Sequence, residues 1–259
     1  TDVLVITDIN DPLWETALAN IYSYIDRGGD LYILSNYKRG KYLAPVVNRL
    51  GVKYYDGLVV QENQYISPTF VPVDFTQAAI ESSPIYKSVA EWGYRVLMPT
   101  ALAIDCSGVK NFEVKSLLET SDKAWIEYET IDFVDGEFVC NENAGEKAGV
   151  YSTFVTLGRK VDGKEQRIAI SGDADFIANE ELSTGHSGID ASNYTMVKGP
   201  FRWFSGDKFP IVVDRVSAVD GDINLPVGFS MWLKIIFLGI FPLSLMITGI
   251  VLIARRQGK

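Results

Sequence analysis

The sequence predicts a doubly wound α/β body with an added β-rich segment and a single C-terminal transmembrane helix. Three observations predict it. Asp2–Thr7 (DVLVIT) and Leu31–Leu34 (LYIL) are continuous apolar runs, the pattern of strands covered on both faces in a parallel sheet. An amphipathic stretch separates them. Ile235–Ala254 carries no charge, and about 20 residues at 1.5 Å each cross a hydrocarbon core of roughly 30 Å.

Taken in order, Asp11 reads as a helix N-cap and Pro12 as the first helical residue. The helix Leu13–Asp26 sets Leu13, Ala17, Ile21 and Tyr24 on one stripe, and Gly28-Gly29 ends it. After the second strand comes a helix over Lys41–Leu50, with Pro45 expected in its first turn and Gly51 after it. Val52–Tyr55 and Leu58–Val60 continue the alternation. Strand, helix, strand, helix, strand within about 60 residues is the signature of a doubly wound layer.

From Gln61 to Asp74 the pattern dissolves into a Pro-bearing extended stretch. A helix at Pro84–Trp92, a strand over Arg95–Ile104 and an extended Phe112–Tyr128, broken at Thr120–Lys123, follow. Asp132–Gly149 is loop-like and acidic. Tyr151–Leu157 and Arg167–Ser171 then form the arms of a hairpin turning at Asp162-Gly163. Asn193–Phe204 reads as a helix capped by Asn193, and Ile211–Val216 as a last strand. No internal repeat or low-complexity tract is present.

The span is expected over Trp232–Ala254, because backbone inside hydrocarbon must hydrogen-bond to itself. Trp232 and Lys234 suit one interface, and Arg255 and Arg256 follow on the other side. Pro242 removes one donor and is expected to kink the helix. Positive flanks stay in the cytoplasm, so 255–259 should be a cytoplasmic tail, 225–231 a tether and 1–224 an extracytoplasmic body.

The chain has 259 residues and net charge −9; four basic residues and no acidic one follow Leu225, which leaves −13 for the body. That sign argues against nucleic acid and against adhesion to anionic lipid surfaces. A hydrophobic content of 47%, with 13 Tyr and 13 Phe, implies a packed core. Cys106 and Cys140 could pair in an oxidising exterior or stay as two free thiols. The chain opens on Thr1 and a strand with no visible signal peptide, so we expect a processed chain or the C-terminal part of a longer one.

Several stretches together resemble one family. The opening DVLVITDINDPLWETALANIYSYIDRGGDLYILS is similar to the ectodomain start of GldG-like proteins, auxiliary membrane subunits of bacterial ABC transporters that include the gliding-motility system. Gly51-Val52 with Asp56–Val60 (DGLVV), Val114–Trp125 (VKSLLETSDKAW) and Arg167–Asn179 (RIAISGDADFIAN) resemble further passages in the same order. The departures are a missing N-terminal region and Gly188-Ile189-Asp190 with Asn193 where the family has G-N-x-D. The resemblance implies a fold related to class I glutamine amidotransferases (flavodoxin-like). It also implies permease and ATPase partners and a place in the bacterial cytoplasmic membrane.

Such a fold invites a search for a nucleophile. Neither Cys106 nor Cys140 stands in a G-x-C-x-G setting, and His186, the only histidine, lies in the loop Gly185-His186-Ser187-Gly188. Ser187 lacks the G-x-S-x-G spacing. Asp173 and Asp175 follow a buried strand, where ligands of open α/β sheets collect, and could hold a cation or polar group; the plainer reading is that they are turn residues. No Cys/His metal spacing and no glycine-rich phosphate loop after a strand occurs, so no metal, cofactor or ATPase activity is expected. The leading expectation is a non-enzymatic subunit. A membrane-tethered hydrolase or amidotransferase relative and a sugar- or peptide-binding receptor stand as rivals.

Overall fold

Val3–Thr7 (β1), Glu15–Asp26 (α1) and Asp30–Leu34 (β2) open the fold of a computed structural model that describes residues 3–64, 66–129, 138–183, 188–209 and 229–257. The chain divides into two compact units, Thr1–Ile211 and Val212–Lys259. The predicted strand Ile211–Val216 and residues 225–228 of the expected tether lie outside the described residues, while 229–231, also expected in the tether, are helical.

β1 and β2 pair in parallel, with Val3 opposite Asp30 and Thr7 opposite Leu34. All five residues of β2 are buried, as its unbroken apolar run requires. β1 corrects the expectation of cover on both faces: it is the end strand of its sheet, and Val5 is exposed. Helix α1 starts at Glu15, not Leu13. Asp11 does not cap it; an extended Trp14 precedes it, and Glu15 puts its charge at the positive end of the helix dipole. Gly28, at φ +84°, closes α1 as expected, with its N–H bonded to the Ile25 carbonyl.

Gly40–Arg49 (α2) contains Pro45 beyond its first turn, so the proline sits further in than predicted. The next two strands, Lys53–Tyr54 (β3) and Leu58–Val60 (β4), leave the main sheet altogether. Phe70–Phe75 (β5) was not expected. Its Pro72 is admitted because β5 is paired on one side only over 70–73. Gln77–Ser82 (α3), Pro84–Glu91 (α4) and Val96–Pro99 (β6) follow. The predicted strand Arg95–Ile104 is broken by Thr100, at φ +58°, and resumes as Ile104–Asp105 (β7), which pairs with β3.

Glu113–Glu119 (β8) and Trp125–Glu127 (β9) flank the expected break, and β9 pairs with β4. Ser152–Val161 (β10) and Lys164–Ser171 (β11) form the hairpin. Its turn residues Asp162 and Gly163 have φ +49° and +78°, the primed turn that matches strand twist. Asn179–Ser183 (α5) and Asn193–Phe204 (α6) complete the unit. Asn193 is not the cap of α6. Its amide instead accepts from the Leu97 N–H at 2.8 Å and donates to the carbonyls of Leu97 at 2.8 Å and Phe176 at 3.0 Å.

The main sheet has seven strands in the order β1-β2-β11-β10-β8-β5-β6. Three are parallel, β1, β2 and β11; from β11 onward each neighbour is antiparallel. Helices cover both faces. Ile25, Leu43, Val46 and Val47 from α1 and α2 pack with Leu31, Ile33, Ile168 and Ile170 on one side. Ala79, Tyr86, Met196 and Phe204 from α3, α4 and α6 pack with Tyr32, Phe154 and Leu118 on the other. Each such buried side chain contributes roughly 1.5–3 kcal/mol of transfer free energy, which is why two-faced burial dominates here.

The second unit holds Phe229–Lys234 (α7), a π-helical stretch Ile235–Ile240, and Phe241–Gln257 (α8). Met231–Gln257 form a helix of 27 residues that is long and apolar enough to cross a membrane. The π stretch ends just before Pro242. There the ring lacks an N–H and crowds the carbonyl four residues back, and a widened turn relieves both. Trp232 and Lys234 stand at one end of the apolar run, Arg255 and Arg256 at the other.

Candidate functional site

Three parallel strands end together, at Thr7, Leu34 and Ser171, and so bring Asp8, the segment Ser35–Arg39 and the segment Gly172–Asp175 to one rim. A fourth segment, Thr100–Leu102, threads beside them, with the Leu102 N–H bonded to the Gly172 carbonyl at 2.9 Å. Gly172 is required by that approach: a Cβ there would stand 2.0 Å from the Leu102 carbonyl oxygen. This rim is where open α/β sheets place their ligands.

The structure treats Asp173 and Asp175 differently. Asp173 is fully buried; one carboxylate oxygen accepts the Asp175 N–H at 2.9 Å and the other the Phe176 N–H at 3.2 Å. The Ser171 hydroxyl donates to its backbone carbonyl at 2.7 Å. Asp173 therefore fastens the short 3-10 turn Asp175–Ile177 to the end of β11, and burial pushes its carboxyl well above the usual range. Asp175 is exposed at the rim. Its pKa is raised, chiefly by partial burial and then by the charge of Asp8; Arg39 and the Thr100 hydroxyl oppose the rise.

Asp8, Arg39 and Thr100 thus join Asp175, although the sequence reading singled out none of them. Arg39 pairs with Asp8, whose other oxygen is buried with no hydrogen-bond partner among the described residues. Asp8 and Thr100 hold φ values of +36° and +58°, a left-handed backbone that is costly for a β-branched residue such as threonine. Asp8 was findable, because it follows the apolar run DVLVIT just as Asp173 follows RIAIS. Thr100 and Arg39 carry no local signal.

The thiols are free and unlike nucleophiles. Cys106 is half-buried, and burial, then the neighbouring Asp105 charge, pushes it up to about 11. Cys140 is also raised, by burial and then by Glu146 and Glu142. A reactive cysteine needs the opposite shift. His186 and Ser187 lie outside the described residues.

A second carboxylate group gathers elsewhere: one oxygen from each of Glu127, Glu129 and Glu146 lies within 4.8 Å of the others. Both oxygens of the fully buried Glu146 accept backbone N–H groups, from Tyr128 at 3.1 Å and Asn141 at 2.6 Å. Glu127 accepts the Glu129 N–H at 3.0 Å. Burial, reinforced by Glu146, raises its pKa. These bonds hold Asn141 and Glu146 beside the end of β9.

No family model matches the chain, and no curated protein matches it. Among solved structures it is similar to one described as the mmIFT52 N-terminal domain. The two are 12% identical, the TM-score is 0.55, and the match covers 82% of this chain and 79% of that one. Likeness at that identity is a likeness of fold.

Proposed function

We propose that this chain is a membrane-anchored, non-catalytic subunit of a bacterial ABC transporter complex, whose α/β body lies outside the cytoplasmic membrane and serves as a binding or coupling domain. The observation that carries the anchoring is the apolar helix Met231–Gln257. Its basic residues Arg255 and Arg256 favour a cytoplasmic C-terminus, which puts the body on the far side. The raised thiols of Cys106 and Cys140 favour a binding role over the rival hydrolase or amidotransferase reading. The ABC permease and ATPase partners, and an amidotransferase-like ancestry for the three parallel strands, rest on the resemblance to GldG-like proteins.

Affinity purification of the full chain from detergent-solubilised membranes tests the assignment. We expect an ABC ATPase and a permease to co-purify in stoichiometric amounts. Recovery of the chain without either would overturn the transporter reading.

A further inference from the structure

A cavity of about 290 Å³ lies not at the strand carboxyl ends but near the opposite end of β11. It opens where the core on the α6 side gives way to polar residues beyond Leu117 and Thr156. Its floor is the sheet surface of β8, β10 and β11, with Gly158 bare in the middle: a Cβ there would touch nothing. The α3–α4 turn and α6 form its sides. Gly199 of α6 makes room for the hydroxyl of the buried Tyr86, since a Cβ would come within 1.5 Å of it.

The charge of this cavity runs against that of the molecule. Five basic and three acidic residues line it, in a chain of net charge −9, although the Arg159 guanidinium turns to the opposite face of the sheet, where it donates to the Ile25 carbonyl at 3.3 Å. The acids are placed so that they neutralise little. Arg167 pairs with Glu165 and Arg202 with Asp207, but the arginine side chains are 23% and 26% exposed against 59% and 78% for the acids. Lys115 with Glu113 shows the same order. Outward acids are screened by water, while the Arg167 and Arg202 side chains sit against low-dielectric walls, so their positive charge is felt inside the cavity. Lys160, exposed at the edge of the cavity, has no ion-pair or hydrogen-bond partner for its side chain among the described residues. The half-buried Trp203 adds a ring face, 6.0 Å from the Arg167 guanidinium.

We propose that this cavity is a binding site for a small organic acid bearing a ring, with the acid group on Lys160, Lys115 and Arg202 and the ring against Trp203. The size suits a small ligand, and mixed apolar walls with a few convergent charges are the usual make-up of such sites. The site stands on the cavity alone and holds whether or not the chain serves a transporter.

The test uses the full chain in lipid nanodiscs and a matched pair of probes, 4-nitrophenyl β-glucuronide and 4-nitrophenyl β-glucoside, which differ only at the carboxylate. Tryptophan quenching should saturate with the glucuronide, at an affinity at least tenfold above that for the glucoside, or about 1.4 kcal/mol. Lys160→Glu and Arg202→Gln should each weaken the glucuronide severalfold while leaving the glucoside and the unfolding midpoint unchanged. Trp203→Leu should weaken both probes. Asp175→Asn, at the distant rim, should alter neither. Equal binding of the two probes, no saturable binding of either, or indifference of the glucuronide to both charge substitutions would overturn the proposal.

Discussion

Glu127 shows how much a single buried carboxylate can make of its surroundings. Its carboxyl is nearly inaccessible and faces Glu146, so the folded protein holds a proton there at a pH where the unfolded chain has released it. The stability contributed by that proton is complete below the ordinary glutamate value and is lost as pH rises through the raised folded value. Glu127→Gln removes the titration. We expect the difference in unfolding midpoint between the two proteins to shift in favour of the wild type as pH falls toward the ordinary glutamate range. A pH-independent difference in urea titrations would overturn the raised value of the Glu127 carboxyl. Asp173 belongs to the same class of residue. It reads in sequence as a possible ligand, yet it serves the backbone of its own turn through two hydrogen bonds.

At the scale of elements, the β10–β11 hairpin supplies both the second parallel partner of β2 and the floor of the basic cavity. Its register, with Val161 opposite Lys164, depends on two consecutive left-handed residues. Gly163, at φ +78°, accepts that conformation freely, whereas a Cβ there costs about 1–2 kcal/mol. Gly163→Ala should lower unfolding free energy by that amount, read from the urea midpoint. A Cβ at Gly163 meets no neighbour, so the loss is one of backbone conformation and not of packing. The π stretch before Pro242 is the corresponding local response in the apolar helix: one missing donor is absorbed by one widened turn.

For the whole molecule, the governing fact is that one chain carries two units with different solvent requirements. The body buries its apolar residues between sheet and helices, whereas Met231–Gln257 has none of its apolar window buried within the protein. Twenty apolar residues left in water are far costlier than the same residues in hydrocarbon. Deleting residues 229–259 should therefore move the chain from the carbonate-resistant membrane pellet to the soluble fraction. A truncated chain that stays in the pellet would assign the membrane attachment to another part of the molecule.

Much of this was legible in the sequence because it rests on neighbours along the chain. Burial of β2 follows from its own five residues, the hairpin from Asp162-Gly163 and its flanks, the apolar helix from an uncharged run. The closing of α1 follows from Gly28. What the sequence left open were partnerships across distance. Nothing in LYIL says that β2 pairs on one side with a strand from residues 164–171, or that this insertion turns β3 and β4 away to small sheets of their own. Nothing local joins Asp8, Arg39, Thr100 and Asp175 at one rim, or sets bases inward and acids outward around the cavity. Local patterning determined which residues are buried and which segments are regular, since both follow from side-chain chemistry at fixed spacing. Only the tertiary structure decided which buried surfaces meet, because that choice is settled by packing among segments as distant in sequence as those of Tyr32 and Phe204.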